Sequence, residues 1–99
     1  RSSDVPLGLP FNIASCGVFL TIMAQCSNMV PDQLMISITD AHVYVNQIEG
    51  ISQIFNREGY PLPRLAIKPD VTNINEFRFE HFELINYISE PKIKMPVAV

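Results

Sequence analysis

The sequence predicts an α+β fold, an apolar helix buried against a mixed β-sheet, and three stretches carry that prediction. Residues 10–28 (PFNIASCGVFLTIMAQCSN) are apolar on nearly every side, residues 33–46 alternate with a period of two, and residues 46–57 (NQIEGISQIFNR) place isoleucines at helical spacing. A helix without a polar face needs cover all round, which a sheet can supply. No linker, repeat or low-complexity run divides the 99 residues, so 1–99 reads as part of a single domain.

The first helix, 10–28, is interrupted only by Ser15, Thr21 and Gln25 after its opening turn. Its unbroken apolar runs, 16–20 and 22–24, fall short of the ~20 residues a membrane span needs, so a buried core helix is expected and no membrane association. In 33–46, Leu34, Ile36, Ile38, Asp40, His42 and Tyr44 share one face of a strand paired on both sides or nearly so. That face turns from apolar to polar as the strand leaves the core, which suits a ligand-facing edge. Residues 46–57 form a surface helix whose stripe is Ile48, Ile51, Ile54 and Phe55, ended by Gly59 and Pro61. A short strand at 64–68, a mixed turn and helical stretch at 73–82, a last strand at 82–87 and an ordered extended tail, PKIKMPVAV, complete the chain.

Composition removes several function classes. At 47% hydrophobic and 17% charged the chain is too apolar for a disordered tail. A net charge of −3 without clustered Lys or Arg gives no general attraction to nucleic acid or to an anionic membrane, so an anionic ligand needs a few placed groups. Cys16 and Cys26, ten positions apart on one helix, would lie about 15 Å apart along its axis, too far for a disulfide. With only His42 and His81 besides, no zinc spacing is met. Reduced thiols in a cytoplasmic protein are expected, with no metal. The first residue is Arg1 and RSSDVPLG has no signal-peptide character, so a start farther upstream is expected.

Two groups of residues could carry chemistry. In RSSDVPLGLPFNIAS, Arg1 offers a planar fork of donors and Ser2 and Ser3 add hydroxyls, a plausible grip for one phosphate, although a solvated chain end looks the same. Asn12 has two readings of equal standing: an N-cap of the helix, or an amide that pairs with a base edge offering one N–H and one carbonyl. His42 and Tyr44 form the second group, on the polar end of the strand.

RSSDVPLGLPFNIAS, a hydrophobic helix, DAHVY, REGYPLP and a terminal PKIKMPVAV together resemble the thymidylate synthase family in order and spacing over all 99 residues. The resemblance implies a partial thymidylate synthase-like fold and reductive methylation of dUMP to dTMP with 5,10-methylenetetrahydrofolate as cosubstrate. It further implies a homodimer. By the same resemblance, Arg1 and Ser2 hold the phosphate, Ser3 and Asp4 continue the dUMP loop, Asn12 pairs with uracil, and His42, Val43 and Tyr44 serve the sugar side. Asp4 also resembles the carboxylate that binds the pterin, with Leu7, Gly8 and Phe11 as the wall beside it and Val97, Ala98 and Val99 as the tail that closes over the folate. The relative that hydroxymethylates deoxycytidylate carries Asp where Asn12 stands, so Asn12 favours uracil.

The family's nucleophile is a cysteine in a Pro-Cys-His segment upstream of the Arg, outside these residues. Cys16 and Cys26, read as buried, do not replace it, and the 99 residues alone are expected to be inactive. A non-catalytic remnant or interaction module, and the hydroxymethylase, are the alternative readings. Thr39 stands where the family commonly has Gly before the Asp of DAHVY.

Overall fold

Residues 2–97 are described by a computed structural model. They divide into two compact units, one built from 2–14, 35–59 and 90–97, the other from 15–34 and 60–89.

In the first unit, β1 (Ser3–Asp4) lies parallel to β2 (Ala41–His42), with Ser3 beside Ala41 and Asp4 beside His42. The Ser3 N–H donates to the Asp40 carbonyl at 2.7 Å and the Val5 N–H to the His42 carbonyl at 2.9 Å. The chain then turns so that the Gly8 N–H meets the Asp4 carbonyl at 2.9 Å. A Cβ on Gly8 would sit 3.3 Å from that carbonyl oxygen, so the turn is tight enough to favour a residue without one. α1 (Leu9–Cys26) starts here, with Pro10 in its first turn, where a missing N–H is harmless.

After β2 a single 3₁₀ turn (Val45–Gln47) leads into α2 (Ile48–Phe55). Glu49 sits in the first turn of α2, where a negative charge complements the helix dipole. Residues 91–97 have no regular structure but are held against this region at several points. The Arg57 guanidinium donates to the Pro91 carbonyl at 2.9 Å, and the Gln47 amide donates to the Pro96 carbonyl at 3.2 Å. Met95 fills the space over Gly50, where a Cβ would come within 2.7 Å of its Cγ.

In the second unit β3 (Arg64–Ile67) and β4 (Phe82–Ile85) pair antiparallel, Arg64 opposite Ile85 and Ile67 opposite Phe82. The intervening residues 68–81 include two 3₁₀ turns, Ile74–Glu76 and Phe79–His81. Their carbonyls explain why α1 carries an amide near its end: the Gln25 Nε2 donates to Lys68 at 2.9 Å and to Val71 at 2.6 Å. Ala24 and Val71 are buried. α1 ends in a Schellman arrangement. Asn28 adopts φ 53°, the Met29 N–H reaches the Ala24 carbonyl at 2.8 Å, and the Asn28 N–H reaches that of Gln25 at 3.3 Å. Asn is among the few residues that take this left-handed conformation at little cost. Asn86 is also left-handed, at φ 59°, and follows the end of β4 at Ile85, earlier than the expected 87.

The α+β class stands, and four expectations need correction. The strand expected over 33–46 is regular only at Ala41–His42, because within the described residues only Ser3–Asp4 lies alongside to pair with it. The helix expected to be buried has Ala24 as its one buried residue among those described, with Phe11, Ile13, Phe19 and Met23 open. Among the described residues too few elements lie against α1 to cover a helix that is apolar all round. Cys16 is consequently exposed rather than buried, and Cys26 half-buried. Finally, by length and composition alone α1, 18 residues at mean hydropathy 1.5, is long and apolar enough to cross a membrane, which a count of its unbroken apolar runs had missed. Thr39 is not strained: the described non-glycine residues at positive φ are Asn28 and Asn86 only.

Candidate functional site

The parallel pairing of β1 with β2 determines what stands beside what. It sets the backbone of Asp4 next to that of His42, so the loop that follows Ser2 and the segment DAHVY meet within the first unit. Two residues farther on, the rings of His42 and Tyr44 lie edge to face, with centroids 4.9 Å apart and planes at 77°. Their common side is the outcome expected of positions i and i+2 in extended chain. The Asp40 carboxylate is 3.7 Å from His42 Nδ1, an ion pair only when the imidazole is protonated. With Asp40 65% exposed, that contact adds little stability.

Behind this edge is Gln47, 0% exposed and the largest fully buried side chain among the described residues. Its Nε2 donates to Asp4 Oδ2 and to the Pro96 carbonyl, both at 3.2 Å, while its Oε1 accepts the Tyr44 N–H at 3.1 Å. The amide has two donors and all three of these bonds fit only one orientation. Rotated by half a turn, it would set N–H against N–H at Tyr44 and oxygen against oxygen at Asp4 and Pro96. A buried amide with its hydrogen-bonding groups engaged is rigid, and it ties together the β1 loop, the DAHVY segment and the carboxy-terminal tail.

Asp4 is the unfinished member of this set. Its Oδ2 is taken by Gln47, but Oδ1 is buried with no hydrogen-bond partner among the described residues. An unmatched buried acceptor costs about 1–3 kcal/mol, so the atom calls for a donor from water or from a bound molecule. The carboxylate can therefore take an N–H donor from a bound molecule.

The remaining expected site residues are distributed as follows. Ser2 and Val43 are exposed, Ser3 is half-buried on β1, and Leu7 and Gly8 are half-buried in the turn before α1. Phe11 is 74% exposed on the first turn of α1, and Val97 is 76% exposed. Asn12 is the fourth residue of α1, its backbone N–H bonded to the Gly8 carbonyl at 3.1 Å, so the N-cap reading fails. Its amide faces outward without a hydrogen-bond partner among the described residues. Arg1, Ala98 and Val99 lie outside the described residues. Among those described, no group of three or more His, Cys, Asp or Glu is placed to hold a metal.

Gln47 is the residue that sequence reasoning overlooked. The one signal was its position three residues after Tyr44 at the start of a helix, where a Gln side chain turns back to cap the preceding N–H.

The whole chain resembles a solved enzyme, thermostable thymidylate synthase A from Bacillus subtilis, with a TM-score of 0.96 and 34% identity; the match covers 100% of this chain and 36% of that one. The chain thus spans little more than a third of that enzyme's length. The family model for thymidylate synthase matches residues 1–99, the whole of the sequence, and the chain belongs to the thymidylate synthase family.

Proposed function

We propose that this chain is the carboxy-terminal part of a thymidylate synthase that methylates dUMP to dTMP. In this reading it provides nucleotide- and folate-binding groups, while the nucleophilic cysteine comes from an upstream segment of a soluble, cytoplasmic homodimer. The observation that carries the reading is the buried Asp4 Oδ1 without a hydrogen-bond partner among the described residues, on a residue whose backbone pairs with His42, whose ring in turn meets that of Tyr44. A pterin ring presents N–H donors on its edge, and one of them would complete Asp4.

Each residue has a task of its own. Arg1, Ser2 and Ser3 grip the phosphate, the outward amide of Asn12 reads the uracil edge, and His42 and Tyr44 meet the sugar hydroxyl, with Val43 between them. Leu7, Gly8 and Phe11 form the apolar wall against the pterin, and Val97 and Ala98 close over it, which excludes water. When bound, the reduced folate supplies both the one-carbon unit and the hydride. Asp4 fixes the folate's orientation and takes no proton in this scheme.

The base-reading role of Asn12 is directly testable. An amide matches the N–H and carbonyl of uracil, whereas a carboxylate, an acceptor only, suits the amino group of cytosine. In the complete protein, Asn12→Asp is expected to move the ratio of dUMP to dCMP affinity by about a hundredfold toward dCMP, read by calorimetric titration. An unchanged ratio excludes Asn12 from base recognition, and a wild-type protein that prefers dCMP overturns the substrate assignment.

A further inference from the structure

We infer that Gln47 is a positioning residue that couples seating of the carboxy-terminal tail to the orientation of the Asp4 carboxylate. The inference rests on the proposed function for the identity of the ligand, but not for the coupling itself. One buried nitrogen, Gln47 Nε2, holds both ends of the link, donating one hydrogen to Asp4 Oδ2 and the other to the carbonyl of Pro96. Its oxygen is fixed by the Tyr44 N–H, so the amide cannot rotate to compensate when either partner leaves.

Consider the tail lifting away. The Pro96 carbonyl goes with it, and the Nε2 hydrogen it held, covered only while the tail is seated, has to find another acceptor, toward which the amide shifts. Any shift also lengthens its bond to Asp4, whose other oxygen has no partner to hold the carboxylate in place. Conversely, a ligand donor at Asp4 Oδ1 fixes the carboxylate, which fixes Gln47 and favours the seated tail. Such coupling is reciprocal: tail seating strengthens ligand binding by the same factor as ligand binding strengthens tail seating. Met95 over Gly50 and Arg57 on the Pro91 carbonyl hold the residues that precede Pro96.

The test uses the complete protein and follows release of carboxy-terminal residues by a carboxypeptidase, together with steady-state kinetics. Gln47→Met, similar in volume but without a hydrogen-bond donor, is expected to speed release at least fivefold without ligand. It should also raise KM for methylenetetrahydrofolate about tenfold, with KM for dUMP changed less than threefold. Equal increases in both KM values would mark a merely structural role and overturn the inference, as would an unchanged release rate. A second variant covers the case in which Gln47→Met does not fold. Asp4→Ala removes the acceptor at the far end of the link, and it should speed tail release at least threefold in the ligand-free protein. An unchanged rate in that variant also overturns the coupling. These ligand-free measurements read the coupling even if the wild-type protein binds neither dUMP nor folate, an outcome that would instead defeat the functional reading.

Discussion

The purified 99-residue chain, given 5-tritiated dUMP and methylenetetrahydrofolate, is expected to release tritium at a rate at least about 10³-fold below that of the complete protein. The proposed reaction needs a thiolate at C6 of the uracil, and a thiol becomes an effective nucleophile when a base or cation stands next to it. Neither Cys16 nor Cys26 has a hydrogen-bonded or ion-paired partner among the described residues. Cys26 lines a cavity of about 490 Å³ with Thr21, Gln25 and Pro69 in the second unit, whereas Asp4, His42 and Tyr44 belong to the first. Tritium release by the isolated chain at a rate comparable to the complete protein would mean that one of these thiols, or another group, does the work assigned to the upstream cysteine. The many open apolar side chains of α1 also predict self-association at micromolar concentration, so the assay calls for a sizing step beforehand.

The second large effect is expected at Asp4. In Asp4→Asn, Gln47 decides which way the new amide points, because its Nε2 at 3.2 Å needs an acceptor. The Asn oxygen turns toward Gln47 and the NH₂ group takes the place of Oδ1, so a buried acceptor becomes a donor aimed at the incoming pterin N–H. Two donors face each other in the complex, and folate affinity in the complete protein should fall about a hundredfold, roughly 3 kcal/mol. Affinity for dUMP should change less than threefold, since Ser3 N–H, Val5 N–H and the His42–Tyr44 pair depend on the backbone of β1 and β2, which the substitution does not alter. Separate titrations with dUMP and with the folate check this. Unchanged folate affinity would remove Asp4 from the folate site.

What the sequence could reveal followed the range of the interactions involved. Local patterns were legible: α1 announces itself by an apolar run, and its end is written in Asn28, a residue suited to the left-handed cap. The edge-to-face contact of His42 with Tyr44 follows from spacing by two along extended chain. Alternation in 33–46, by contrast, reports which way side chains face and not whether a neighbouring strand exists, so the regular strand was overestimated and shrank to Ala41–His42. The openness of α1 was hidden for the same reason, since a hydrophobic surface states a need for cover without stating what provides it. Gln47 was missed because its partners Asp4 and Pro96 are 43 and 49 positions away, and no local signal connects them. The roles proposed for Asp4 and Asn12 rest on resemblance to the family. At Asp4 a buried oxygen has no hydrogen-bond partner among the described residues, and at Asn12 the residue is exposed, which leaves both groups open to the proposed roles.

The most direct measurement is a crystal structure of the complete protein with dUMP and a non-reactive folate analogue. The Asn12 amide, the His42 imidazole and the Tyr44 hydroxyl should all lie within hydrogen-bonding distance of one nucleotide, with a pterin N–H on Asp4 Oδ1. A nucleotide seated elsewhere, or a pterin that leaves that oxygen bare, would contradict the account.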